Sequence, residues 1–87
     1  MDNVHRDIGR LVAAWRKRAG LSQAALADAL GTQQATVSKL ETGSYRLSVV
    51  QLVLVLDACG LTLAEVADEI TKAAGTDGRP LWERIDE

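Results

Sequence analysis

Five side chains that can contact the edges of DNA bases lie within residues 33–39 of this chain of 87 residues. On a helix they would share one face, which carries amide, methyl, hydroxyl and amine groups: Gln33, Gln34, Ala35, Ser38 and Lys39. A glutamine amide can pair with adenine, a lysine amine with guanine, and a small methyl group can touch thymine. The opposite face carries Val37 and Leu40. This division is typical of a helix that packs on a core and reads the major groove.

A second short helix is predicted immediately before these residues. Ser22 can cap its start with the side-chain hydroxyl, and Gly31 can end it by adopting a positive φ. Thr32 is then expected to cap the next helix. The inner face of the helix at 23–30 would pack against Val37 and Leu40, and it consists of Leu26, Ala27 and Leu30. Residues 22–43 therefore predict two amphipathic helices joined at Gly31.

Glycines and capping residues recur at regular intervals over most of the chain and bound further predicted helices. The apolar spacing predicts helices at about 5–18, 23–30, 33–41, 49–58 and 63–73. Thr62 and Glu65 form a capping-box pattern at the start of the last one. The predicted fold is all-α, with one five-helix domain over residues 1–75 and a C-terminal tail over 76–87.

Two of these helices have a clear apolar stripe. The first presents Ile8, Leu11, Val12 and Trp15 at helical spacing, so Trp15 is expected in the core rather than as a platform for stacking. The fifth is expected to bury Leu63, Val66, Ala67 and Ile70 and to leave Asp68, Glu69 and Lys72 in water.

Segment 49–58 is ambiguous because its valine-rich composition also suits a buried strand. No second strand is predicted to pair with it, so a helix is favoured. Its apolar residues would cover almost the whole circumference, more than one small domain can bury. We therefore expect part of this surface to form a homodimer contact, together with the fifth helix, through Val53, Leu56, Leu63, Val66 and Ile70.

Charge divides unevenly along the chain, whose net charge is −2. Residues 1–47 carry seven basic and four acidic side chains, whereas residues 48–87 carry three basic and eight acidic ones. This asymmetry suggests that the first half faces phosphate and the acidic half faces another partner. Because the basic excess is small, DNA affinity per subunit should be weak and strongly dependent on salt.

The composition argues against catalysis and against a bound cofactor or metal. His5 and Cys59 are the only histidine and cysteine, and neither has a neighbouring partner for nucleophilic or metal chemistry. His5 is expected at the surface and Cys59 as a buried thiol. The charged N-terminus lacks the apolar core of a signal peptide, and no apolar run reaches about 18 residues. We expect a cytoplasmic protein without membrane contact, located on the nucleoid when it binds DNA.

Residues from about Ile8 to Ile70 resemble the lambda-repressor/Cro-like (XRE) helix-turn-helix family. The resemblance is carried by the run G-L-S-Q-A-A-L-A from Gly20 to Ala27, by Gly31, by T-V-S-K-L-E over 36–41, and by Gly43. It implies a five-helix domain with the helix-turn-helix at helices 2 and 3. It also implies a sequence-specific regulator of transcription, a repressor that binds an inverted-repeat operator in double-stranded DNA as a homodimer.

The resemblance also implies roles for individual residues. Gln23 would contact a phosphate and brace Gln34, the first reading residue. Arg16 would bridge to Glu41 and fix the reading helix, the alternative being a solvated charge that faces phosphate. Lys17 and Arg18 are expected on a solvated face rather than on phosphates. The residues expected along the sugar-phosphate backbone are Gln23, Thr32, Thr36, Thr42, Ser44, Tyr45 and Arg46.

Two other roles and several interpretations of the tail remain open from the sequence. The chain could be the antitoxin of a toxin–antitoxin pair, or an interaction module that has lost DNA binding. In both cases a toxin or another regulator would bind the acidic half. The tail could be a frayed terminus, an apolar clasp or a motif for another protein, and its apolar residues are Leu81, Trp82 and Ile85.

Overall fold

Five α-helices and no strand make up residues 4–75, which are the residues that the computed structural model describes. They are α1 (Val4–Arg18), α2 (Gln23–Leu30), α3 (Gln34–Thr42), α4 (Val49–Ala58) and α5 (Leu63–Ala73). The all-α prediction is confirmed, including a helix rather than a strand at α4. The expectations for residues 76–87 lie outside the described residues.

The core is aliphatic and is built around one indole ring. Trp15 is fully buried, as its place in the apolar stripe of α1 predicted. Around it pack side chains from all five helices, chiefly Val12, Leu26, Val37, Val55, Leu56 and Val66. Each such side chain contributes about 1.5–3 kcal/mol by leaving water. This core therefore determines which face each helix turns outward.

Local hydrogen bonds fix where the helices begin. The Ser22 hydroxyl accepts from the Ala25 N–H at 3.0 Å, and Thr62 and Glu65 form the predicted capping box. A second capping box, between Ser48 and Gln51, starts α4 and was not predicted. In each case a side-chain oxygen satisfies a backbone N–H that has no partner within the helix.

The prediction that Thr32 caps α3 is wrong. The cap residue is Gln33, whose side chain makes no capping hydrogen bond. Gly31 ends α2 at φ 71°, and the next N–H, that of Thr32, donates to the Ala27 carbonyl at 2.9 Å. Thr32 is thus held by the end of α2, because that geometry satisfies the last carbonyls of the helix.

The expectations for α5 need a correction on both of its faces. Val66 is fully buried and Ile70 half-buried, but Leu63 and Ala67 are exposed. Glu69, expected in water, is half-buried against α1. The reason is that α5 packs on α1 through a narrow strip, which is too small to cover the whole apolar stripe.

Candidate nucleic-acid interface

The outward face of α3 presents the five side chains predicted to contact bases. Val37 and Leu40 hold the inner face, with 0% and 4% of their surface exposed. The opposite positions are exposed except for Ser38, which is half-buried: Gln33, Gln34, Ala35, Ser38 and Lys39. The structure therefore brings these residues to one surface whose outer side no other helix of residues 4–75 covers.

A chain of amide hydrogen bonds orients the first of these side chains. Gln34 Nε2 donates to Gln23 Oε1 at 3.4 Å, and Gln23 Nε2 donates to Glu41 Oε1 at 2.9 Å. Gln23 lies at the start of α2 and Glu41 near the end of α3. The Gln34 amide is thus held by Gln23 of α2, although the Gln34 side chain remains exposed.

An ion pair between α1 and α3 anchors this network, as the resemblance implied. Arg16 Nε donates to Glu41 Oε2 at 2.6 Å, and Arg16 Nη2 donates to Glu41 Oε1 at 3.1 Å. A third donor, Nη1, reaches the Leu21 carbonyl at 2.9 Å. The hydrogen bonds and charge of Glu41 raise the pKa of the Arg16 guanidinium. Because the side chains are only 11% and 8% exposed, the pair is not a solvated phosphate ligand.

Two glycines allow α1 to lie directly on α3. A Cβ on Gly9 would meet the carbonyl oxygens of Leu40 and Glu41, so only glycine fits where the helices cross. Gly43 ends α3 at φ 82°, and its own Cβ position lies 2.7 Å from the Arg6 Cα. Both ends of this contact fix the direction of α3 relative to the rest of the domain.

The last residue of α3 and the segment between α3 and α4 hold four of the seven residues predicted to follow the DNA backbone. Thr42, Ser44, Tyr45 and Arg46 are exposed, and the hydroxyl groups of Thr42 and Ser44 lie 3.2 Å apart. The Tyr45 hydroxyl accepts from Gln51 Nε2 at 3.1 Å. This hydrogen bond from α4 was not predicted from the sequence. Thr32 and Thr36 are half-buried at the adjoining ends of α2 and α3.

Basic side chains outside the interface behave differently from one another. Lys17 and Arg18 are exposed at the end of α1, where cations favour the helix dipole. Arg18 Nη1 also lies 3.5 Å from Glu69 Oε1, a contact that the sequence did not predict. Arg18 is exposed and Glu69 is only half-buried, so this pair adds little to stability.

The residues predicted for a dimer contact separate into two groups. Leu56 and Val66 are 1% and 0% exposed, so they belong to the core of their own domain and leave no surface for a second copy. Val53 and Leu63 are exposed and Ile70 is half-buried. On α4, Val53 and Leu56 are only about 60° apart around the axis, so the boundary between its exposed and buried faces runs between them.

Three further observations concern metal binding, thiol reactivity and membrane crossing in residues 4–75. No group of three or more histidine, cysteine, aspartate or glutamate side chains in this range could hold a metal ion. Burial raises the pKa of the Cys59 thiol, which disfavours the reactive thiolate. No helix in the same range is both long and apolar enough to cross a membrane.

A sequence model described as a helix-turn-helix domain matches residues 7–68. The chain belongs to this family. It is a family of DNA-binding transcriptional regulators rather than of enzymes. No curated protein sequence matches the chain significantly.

Solved structures support the same assignment of the fold. Two structures of the clp gene regulator ClgR from Corynebacterium glutamicum align with a TM-score of 0.72 and 26% sequence identity. Each alignment covers 80% of this chain, and they cover 90% and 74% of the respective ClgR chains. The five helices of this member therefore have the lambda-repressor-like fold.

Proposed function

We propose that this protein is a transcriptional repressor that binds a specific inverted-repeat operator in double-stranded DNA as a homodimer. The observation that carries the proposal is the outward face of α3, where amide, amine and methyl groups are exposed above a buried Val37 and Leu40. Such a helix can enter the major groove while its inner side stays in the core.

Base recognition is assigned to individual positions of α3. Gln34 is exposed and held by Gln23, so its amide is preorganised to pair with one base, adenine being the natural partner. Ala35 would contact a thymine methyl group, and Lys39 would donate to a guanine. Each well-formed pair contributes about 1–3 kcal/mol to discrimination between bases. Gln33 and Ser38 complete this reading surface.

Contacts to phosphate set the position of α3 on the duplex. Hydroxyl and basic side chains beside α3 can hold the backbone without reading its sequence. The assigned residues come from the start of α2, the turn before α3, α3 itself and the segment after it: Gln23, Thr32, Thr36, Thr42, Ser44, Tyr45 and Arg46.

Dimerisation supplies the affinity that one subunit lacks. Residues 1–47 have an excess of only three positive charges, so a single domain makes few phosphate contacts. Two linked copies add their contacts at a high effective concentration, and twofold symmetry requires half-sites about 34 Å apart. A dimer bound across a promoter would exclude the polymerase, and we therefore propose that the protein acts as a repressor. It would act in the cytoplasm, on the nucleoid.

Titration of labelled DNA tests the proposal directly. Fluorescence anisotropy of the purified chain with random duplex should show weak binding at 50 mM salt that is lost at 200 mM. Selection from a random pool should then enrich an inverted repeat. A chain that binds no duplex at 50 mM salt would instead be an interaction module, such as an antitoxin that holds its partner through the acidic half.

A further inference from the structure

Helix α4 is apolar on two opposite sides. Its inner side packs into the core through Leu52, Val55 and Leu56, and Cys59 joins them directly after the helix ends. Its outer side, here called the outer stripe, is also apolar but 44–72% exposed, and consists of Val49, Val50, Val53 and Leu54. Helices at the surface of a monomer usually carry polar residues on the outer side. Adjoining exposed apolar side chains of this kind mark an interaction surface.

The outer stripe is a property of α4 and not of the whole acidic half. On α5, the charged side chains of Glu65, Asp68 and Lys72 are all exposed and interrupt the outer surface of that helix. Leu63 is its only large apolar side chain with comparable exposure, at 43%. The exposed apolar surface that would be buried by a partner therefore lies on α4 rather than on α5.

The charges along α4 are complementary to those of a reversed copy of itself. Val53 lies midway between Val49, in the first turn, and the exposed Asp57, near the C-terminal end. The first backbone N–H groups of α4 have no partner within the helix and form its positive end. A second α4 running in the opposite direction would place its own Asp57 beside that positive end.

We infer that the outer stripe docks on the outer stripe of a second copy of this chain, with the two α4 helices antiparallel. The twofold axis passes beside Val53, and Asp57 of each copy approaches the start of α4 in the other. This inference rests on the homodimer of the proposed function and specifies its contact surface. Both copies present the same patch, as twofold symmetry requires. The residues of the outer stripe take the place of Leu56 and Val66, which were predicted at the contact but are buried.

Sedimentation velocity of the full chain locates the contact by comparing two exposed positions. We expect the wild type to be a dimer at micromolar concentration, and Val53→Asp to raise the dissociation constant at least about 100-fold, since two carboxylates would meet at the axis. The control is Leu63→Asp, because Leu63 is 43% and Val53 is 44% exposed. It should remain a dimer. Circular dichroism should show wild-type helix content in both variants.

A charge exchange tests the antiparallel arrangement. Val49→Asp and Asp57→Lys should each weaken the dimer about tenfold or more, because each places like charges at the contact. The double variant should recover most of the loss, since the new charges face each other only when the helices run in opposite directions. Within one helix the two positions are eight residues apart and do not contact each other. A double variant weaker than both single ones would overturn the arrangement.

Other outcomes separate the docking surface from the proposed function. If Leu63→Asp dissociates the dimer and Val53→Asp does not, the surface is wrong but the homodimer stands. If Trp82→Ala dissociates the dimer and Val53→Asp does not, the tail provides the contact and the inference fails. A wild type that is monomeric at tens of micromolar and still binds one operator tightly would overturn both. Val53→Asp should keep weak, salt-sensitive binding to a half-site duplex, which shows that its reading surface is intact.

Discussion

Trp15 Nε1 donates a hydrogen bond of 3.0 Å to Glu69 Oε1, which joins α1 to α5 across 54 positions of the chain. The indole ring is fully buried, so its N–H needs an acceptor within the protein. Glu69 supplies it from an element that otherwise has only a narrow contact with the core. The position of α5 therefore depends on a polar bond as well as on Val66.

Replacing Glu69 should destabilise the fold although the residue is half-exposed. Glu69→Ala leaves the buried Trp15 N–H without an acceptor, which costs about 1–3 kcal/mol in the free energy of unfolding. Glu69→Gln keeps an acceptor and should lose less. Urea denaturation measures both, with Asp68→Ala as the control, expected within about 0.5 kcal/mol of wild type. Equal losses for the two alanine variants would show that the bond contributes nothing.

The Arg16–Glu41 pair should show strong coupling in a double-mutant cycle. Arg16→Ala or Glu41→Ala leaves one nearly buried charge without its partner, so each should cost about 3 kcal/mol. The double variant should lose clearly less than the sum of the single losses. Thermal and urea unfolding of the four proteins provide the test. Additive losses would mean that the two side chains act independently.

Base reading and backbone contact should respond differently to substitution. Gln34→Ala should cost about 1–3 kcal/mol at one operator position and relax the preference there. Arg46→Ala should weaken all sequences nearly equally and reduce the salt slope by about one. Anisotropy titrations against the selected operator and its single-base variants distinguish the two patterns. Unchanged affinity and preference in Gln34→Ala would show that α3 is not the reading helix.

The crossing of α1 and α3 should tolerate only glycine at position 9. In Gly9→Ala the new Cβ would overlap the Leu40 carbonyl oxygen, which is backbone and cannot move away alone. We expect the free energy of unfolding to fall by about 3 kcal/mol or more. DNA affinity should fall as well. Gly20→Ala is the control: no atom lies within 4 Å of its Cβ position, and only its φ of 74° costs about 1 kcal/mol. Similar melting temperatures for the two variants would contradict the tight crossing.

Stability should fall at alkaline pH through Cys59. Burial raises the pKa of this thiol in the folded state above its unfolded value of about 8.5. At a pH below the pKa of the unfolded chain, the thiol is protonated in both states and its contribution to the free energy of unfolding is complete. Above it the unfolded chain releases the proton first, so the free energy of unfolding declines by up to about 1.4 kcal/mol per pH unit. Denaturation between pH 7 and 9.5 should show a shallower decline for Cys59→Ala than for wild type.

Local rules made the helices predictable, whereas their outward faces depended on tertiary packing. Glycines with positive φ and capping hydroxyl groups act within a few residues, so the helix ends follow from the sequence. Thr32 was misassigned because α3 begins at Gln34, one residue later than predicted, so that the cap position falls on Gln33. Leu56 was misplaced because α4 is apolar around most of its circumference, so its sequence does not indicate which face turns inward. Glu69 was misplaced because its bond to Trp15 depends on how α5 packs on α1. The Arg16–Glu41 pair spans 25 positions, and only the family resemblance pointed to it.

The outward residues of α3 carry little of the stability of the fold, and this bears on how recognition can change. Gln33, Ala35 and Lys39 are exposed, whereas α3 is held from its other side by Val37, Leu40 and Glu41. Substitutions at such exposed positions usually alter stability by less than about 0.5 kcal/mol. Under the proposed mode of binding, a new operator preference can therefore be acquired one residue at a time, each intermediate remaining folded. The domain separates the part that evolution can vary from the part that it must keep.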